Sequence, residues 1–304
     1  MRGKRPVVAA AVALLVGCQA PPPAPEGLDD SVRFLLNEFY ADDLTFGAGI
    51  TGLLNWMDSE GTALLDVDPN TGNVADFRLD TSLTAEDIDT MPVAHDRDPA
   101  DAPGVVGLAE IDCDWSRGEQ VHVRPDQDVV FEGEWTTYDR TFESPRAAYD
   151  EAREANSFPA VGTGLEPAST DWTSSDLAPV FLKTRNSLGT SSLGIDFEYT
   201  LDLHFRHGEW EVQGEPLQGM VILTWMAESA QSINSDNWLH QVYSVDMILA
   251  RGEGRGLRVV ANYTEVGPAA SDSELVQVLG INRILDFSDH LNAICRGDRE
   301  LPAE

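Results

Sequence analysis

Three short patterns in this chain carry residue types suited to chemistry. Asp66, Asp68 and Asn70 stand at alternate positions, as oxygen ligands do at the start of a calcium loop. Such a loop needs Gly at its sixth position and Glu at its twelfth. Thr71 and Phe77 occupy those positions, so the pattern reads as a plain turn with Asp66, Asp68 and Asn70 as weak metal candidates. His204 and His207 are three residues apart, which on a strand sends the two rings to opposite faces. Gly189-Thr190-Ser191-Ser192-Leu193-Gly194 is loosely like a nucleophile elbow. That motif needs Gly two residues before and two after its Ser, and neither Ser191 nor Ser192 has both. The segment reads as a flexible loop.

No P-loop, dinucleotide fingerprint or C-x-x-C pattern is present. His95, His122, His240 and His290 lack ligand spacing. No catalytic set, metal site or cofactor is expected from these patterns. The 7 Trp and 11 Phe serve to fill a core or line an apolar cavity.

Cysteine is used three times, at Cys18, Cys113 and Cys295. Cys18 ends a distinctive leader. Arg2, Lys4 and Arg5 precede an apolar run from Val7 to Val16 that is too short to span a bilayer. Leu15-Val16-Gly17-Cys18 resembles the lipobox of bacterial lipoproteins. The resemblance implies cleavage before Cys18 and lipidation of Cys18. Gln19 is not the Asp that retains such proteins at the inner membrane, which implies the outer membrane. Two acyl chains or more anchor stably where one does not. The expected address is the cell envelope, with the membrane as a partner through the lipid.

Residues 1–17 are then a signal peptide and 18–27 a lipidated, proline-rich linker. Pro21, Pro22, Pro23 and Pro25 favour polyproline II, a semi-rigid spacer of roughly 25 Å. Residues 28–103 read as a helical segment with a hairpin and an acidic loop, and 104–304 as an antiparallel α+β domain. In an oxidising compartment Cys113 and Cys295 are expected to pair, closing a long loop worth roughly 5 kcal/mol by chain entropy.

Net charge is −32, and removing Arg2, Lys4 and Arg5 with the leader leaves 17 basic against 52 acidic residues, or −35. Lys183 is then the only lysine. So acidic a surface repels nucleic acid, which is excluded as a partner. The excess of Asp and Glu fits adaptation to high salt, where screening is short-ranged. A genome bias that replaces Lys by Arg explains the missing lysine but not the added acid.

Helical spacing of Val32, Leu35, Leu36, Phe39 and Tyr40 predicts a first helix capped by Asp29 or Asp30. Gly47, Gly49 and Gly52 are expected to interrupt the helical pattern beyond it, leaving a second, short helix. Ala63 to Leu79 predicts a hairpin, and Leu83 to Pro103 an irregular stretch. Val105–Cys113, Gln120–Val123 and Val129–Phe142 predict strands, and Ser144-Pro145 a helix start with Ser144 as cap. Phe197, Tyr199, Leu201, Leu203 and Phe205 alternate with Glu198, Thr200, Asp202, His204 and Arg206, a strand with one apolar and one wet face. His207-Gly208 predicts a turn into Glu209–Val212. Met220–Ala227, Leu239–Leu249 and Leu257–Val266 predict further strands, with a hairpin at Gly252-Glu253-Gly254. Ser271-Asp272-Ser273-Glu274 predicts a capping box before a long helix from Leu275 to Cys295.

The expected class is α+β, with N-terminal helices, a mainly antiparallel sheet and a long C-terminal helix. From Val129 to Cys295 this order resembles the helix-grip layout of START-type lipid-binding domains. The resemblance implies a sheet curled around the last helix and an apolar cavity between them. Three functions are compatible with this reading. The leading expectation is a non-catalytic envelope module acting through its surface. The alternatives are a START-like carrier of an apolar ligand and an enzyme with an unrecognised carboxylate site.

Overall fold

The computed structural model describes residues 20–66, 74–133, 135–162, 177–192, 194–267 and 273–303. Cys18, Asp68, Asn70 and the Ser271-Asp272 half of the expected capping box lie outside them.

Two helices open the chain, α1 (Gly27–Asn37) and α2 (Asp43–Ser59). Asp42 caps α2, accepting from the amides of Leu44 and Thr45 at 3.1 Å. Neither Asp29 nor Asp30 caps α1: both lie inside its first turn, and its N-cap residue, Glu26, makes no side-chain cap bond. The break falls between Asn37 and Asp43, and α2 runs through Gly47, Gly49 and Gly52. These glycines serve packing. A Cβ at Gly52 would lie 2.6 Å from the Pro25 carbonyl oxygen and 2.8 Å from Ser31 Oγ. The linker therefore lies directly on α2.

The expected hairpin is replaced by two short 3₁₀ turns, Gly61–Asp66 and Val74–Phe77, and a two-residue strand β1 (Arg78–Leu79). After β2 (Gly104–Ile111) come α3 (Trp115–His122) and α4 (Gln127–Val130). The expected strand at Gln120–Val123 is thus the end of a helix, started by the Asp114 side chain on the Ser116 amide. The expected strand from Val129 shortens to β3 (Thr137–Phe142). In α5 (Arg146–Glu154) the N-cap residue is Pro145; Ser144 Oγ instead accepts from the Lys183 amide at 2.8 Å.

The remaining strands are β4 (Phe181–Ser192), β5 (Ile195–Val212), β6 (Glu215–Trp225), β7 (Ala230–Gln231), β8 (Trp238–Ala250) and β9 (Gly256–Gly267). Gly189 to Ser192 belong to β4, so the expected flexible loop is mostly paired strand. His207 and Gly208 are paired inside β5, and the turn comes later, at Gln213-Gly214. Gly252 and Gly254 do form the last hairpin, both at positive φ, where any other residue would be strained. The sheet is antiparallel throughout, in the order β1-β2-β9-β8-β6-β5-β4-β3, with β7 added beside β8.

Both faces of this sheet are covered, each by different helices. On the outer face α1 and α2 pack Val32, Leu36, Phe39, Phe46 and Leu53 against Trp210, Val221, Trp225, Val245 and Val259. On the inner face α6 (Ser273–Cys295) and α3 pack Trp115, Val121, Leu291 and Ile294 against Met220, Ile222 and Ile248. Strands buried on both faces read as apolar runs, as β6 and β8 do. The same burial corrects the wet face expected of β5: Asp202, His204 and Arg206 point outward yet are buried. Arg206 donates to the Phe39 carbonyl (2.6 Å) and to Asp43 (2.7 Å), with its guanidinium 4.2 Å above the Phe46 ring.

Cys113, just after β2, and Cys295, the last residue of α6, are joined as a disulfide with Cα atoms 5.2 Å apart. The expected α+β class, with N-terminal helices, an antiparallel sheet and a long C-terminal helix, is therefore present, and that last helix is bolted to the sheet at one end. No helix among the described residues is long and apolar enough to cross a membrane.

Candidate functional site

Between the inner face and α6 lies a cavity of about 540 Å³. Its sheet wall is built largely from one phase of β3, β5, β6 and β9, with parts of β4 and β8. Leu201, Leu203 and Phe205 of β5 supply its middle, Val242 of β8 and Val260 of β9 continue the wall, and Leu279 and Phe287 of α6 close it. Phe131 and Trp135, from the segment between α4 and β3, cover one end; Phe131 stacks on Phe287 at 4.6 Å between ring centres. Period-two alternation puts these apolar side chains on one face, which is why β5 was legible in sequence.

The wall is not uniformly apolar. Thr224, Ser244 and Asn262 are paired neighbours on β6, β8 and β9, and they line the cavity as a polar row. Asp246 and Arg258 form a buried ion pair, with Arg258 Nη2 2.6 Å from Asp246 Oδ2. Arg258 Nη1 also donates to Ser288 Oγ (3.1 Å) and to the Ile284 carbonyl (3.3 Å), so the pair joins sheet to helix. His122 closes α3 and is buried. Its Nδ1–H donates to the Gly118 carbonyl at 2.8 Å, since a carbonyl only accepts. Burial, followed by the nearby Arg258 charge, lowers the His122 pKa to about 4, so the ring is neutral at physiological pH.

Arg140, on the edge strand β3, is the most unusual lining residue. Its Nε donates to Asn186 Oδ1 (3.0 Å), and its Nη1 to the carbonyls of His122 (2.6 Å) and Arg124 (2.8 Å) at the end of α3. The guanidinium lies 5.5 Å over the Phe205 ring. Burial lowers its pKa. Burial likewise pushes the Tyr138 phenol up to about 12. No carboxylate pairs with Arg140 among the described residues.

The residues singled out in sequence lie elsewhere. His204 and His207 do point to opposite faces. His204 sits under the connection between α1 and α2, bonded to Tyr40 and edge-on to Trp225 at 4.7 Å, and burial lowers its pKa to about 3. His207 stacks on Tyr149 at 4.4 Å and lies 3.2 Å from Glu119 Oε1, which also accepts from Tyr149 at 2.7 Å. Glu119, His207 and Tyr149 are each fully buried, so this cluster is closed to a substrate. Asp66 ends a 3₁₀ turn. Among the described residues no group of three His, Cys, Asp or Glu could hold a metal. Sequence reasoning missed Arg140, His122 and the Asp246–Arg258 pair. The available signal was an Arg in phase with Tyr138 and Phe142 on β3, and an Asp and an Arg in the inward phase of β8 and β9.

No family model matches this chain, and no curated protein does. Solved structures align with it at low similarity, three of them as follows. TTHA0849 from Thermus thermophilus has a TM-score of 0.36 and 11% identity, over 65% of this chain and 100% of that one. A START superfamily protein from Mycobacterium smegmatis has 0.35 and 11%, over 64% and 99%. A conserved protein from Geobacillus kaustophilus has 0.32 and 9%, over 65% and 97%. Likeness at this level gives the chain neither a ligand nor a family.

Proposed function

We propose that this chain is a lipid-anchored envelope protein that carries an apolar ligand in the cavity under α6. The observation that supports the reading is the cavity itself, about 540 Å³ with aliphatic and aromatic walls. Volumes of this order are typical of small-molecule sites, and packed interiors do not keep them without reason. A water's share of liquid volume is about 30 Å³, so the space suits roughly 18 methylene-sized atoms. That is one acyl chain or a small ring system, not a two-chain phospholipid. With such a cavity the carrier reading gains on a module that acts through its surface alone. The envelope address rests on the lipobox resemblance at Cys18.

Native mass spectrometry of the full chain after mild extraction is the test. A small apolar adduct should accompany the protein, and Leu201→Trp with Leu203→Trp, which narrows the cavity, should reduce it. An adduct of equal abundance in both proteins, or none in either, would sink the carrier reading. For the anchor, Cys18→Ala should abolish palmitate labelling in a bacterial host; persistent labelling would remove it.

A further inference from the structure

We propose that the ligand is a single-chain amphiphile with an anionic, oxygen-bearing head, and that Arg140 holds that head. The inference rests on the carrier reading and adds the chemistry of the ligand's polar end.

Charge is the first argument. The chain carries −32, yet the cavity lining holds three arginines, Arg140, Arg258 and Arg283, against two aspartates, Asp246 and Asp286. Among the described residues neither Glu nor Lys lines it. A cavity wall with net positive charge is the opposite of what this composition would supply by chance.

The second argument is which cation remains unspent. Arg258 is neutralised by Asp246 through Nε and Nη2, and Nη1 serves α6. Asp286 lies on α6 one turn from Arg283, whose guanidinium sits 5.5 Å over the Phe287 ring. Arg140 differs from both. Its Nε and Nη1 are used on neutral acceptors, one amide oxygen and two backbone carbonyls. Nη2 makes none of these bonds. A cation held between Phe205 and Tyr138, with no carboxylate paired to it among the described residues, leaves a field that favours an anion in the adjoining space.

The third argument is preorganisation. The two α3 carbonyls and Asn186 fix the guanidinium plane, so little side-chain freedom remains to be lost on binding. The fixed fork suits an oxygen anion such as a carboxylate or a phosphate monoester. Beyond it, Leu201, Leu203, Val242 and Leu279 offer an apolar path for one chain. The head would sit at the β3 side and the tail beneath α6.

The test uses the full chain in nanodiscs and four probes that share one tail: decanoate, decyl phosphate, decanol and decyltrimethylammonium. Binding is read by displacement of a fluorescent apolar dye. Decanoate or decyl phosphate should bind roughly 10-fold or more tightly than decanol, and the cationic probe least. Which of the two anions wins assigns carboxylate or phosphate. Arg140→Met keeps the stem and removes the charge; it should weaken the preferred anion roughly 10- to 100-fold and leave decanol unchanged, while Arg140→Lys recovers part of the loss. Equal binding of decanol and both anions to the wild type would overturn the head-group inference and leave the carrier reading intact. Failure of every probe, with no dye uptake, would overturn the carrier reading instead. Should Arg140→Met not fold, the wild-type comparison among the four probes still decides.

Discussion

Arg258 grips Asp246 by three hydrogen bonds of 2.6 to 3.2 Å and reaches past it to Ser288 on the last helix. The pair is the polar rivet between an apolar sheet face and an apolar helix. Removing one partner leaves a buried charge, whereas removing both leaves none. Asp246→Ala should therefore destabilise the fold by about 3–5 kcal/mol, and Asp246→Leu with Arg258→Met by far less. Urea unfolding of the single and double variants checks this. A double variant as unstable as the single one would mean that the pair matters for packing, not for charge balance.

The disulfide supports the same helix from its far end. Cys113 and Cys295 enclose a loop of 182 in sequence separation. Chain entropy assigns such a closure roughly 5 kcal/mol, as an upper figure. The native, unreduced protein should resist alkylation at both positions. Reduction should lower its melting temperature by many degrees, and Cys113→Ser with Cys295→Ser should match the reduced wild type.

Acid should loosen the protein through two buried rings. Burial lowers His122 to about 4 and His204 to about 3. The unfolded chain protonates its histidines near 6.5, so there it binds protons that the fold refuses. The stability these rings contribute is complete above about pH 6.5 and is lost as pH falls toward 4, then 3. His122 accounts for about 3 kcal/mol of that loss. Melting temperature against pH should fall across this window, and His122→Leu should flatten the slope. An unchanged slope in that variant would place the acid response elsewhere.

Salt should act in the opposite sense. At −32 the chain repels itself, and screening relieves every exposed pair at once. The melting temperature should rise gradually with sodium chloride. Calcium at constant ionic strength should add no saturable shift, because the stretch from Asp66 lacks the Gly and Glu of a tight loop. A saturable calcium shift abolished by Asp66→Ala would restore Asp66, Asp68 and Asn70 as ligands.

Parity was the strongest signal in the chain, and its limits are visible on β5. Alternation from Phe197 to Phe205 identified the strand and its apolar phase. It said nothing of what covers the other phase, so His204 and Arg206 read as wet until α1 and α2 were seen above them. Short apolar runs misled for the same reason. Val121 and Val123 flank a helix end, and four residues do not distinguish a period of two from one of 3.6. The cavity was implied by element order, yet its polar members come from α3, β3, β4, β6, β8, β9 and α6 and share no local spacing. Arg140, Asp246 and Arg258 are recognisable only once pairing in the sheet and the docking of α6 bring them to one space.

The contact between Pro25 and Gly52 shortens the leash. Were Cys18 lipidated as proposed, free reach would end where the linker meets α2, after roughly 20 Å at polyproline rise rather than the full spacer. The side of the molecule that carries α1 and α2 would then be the side moored to the bilayer. The cavity lies on the other face of the sheet. A ligand exchanged with that same membrane would have to pass around the sheet's edge.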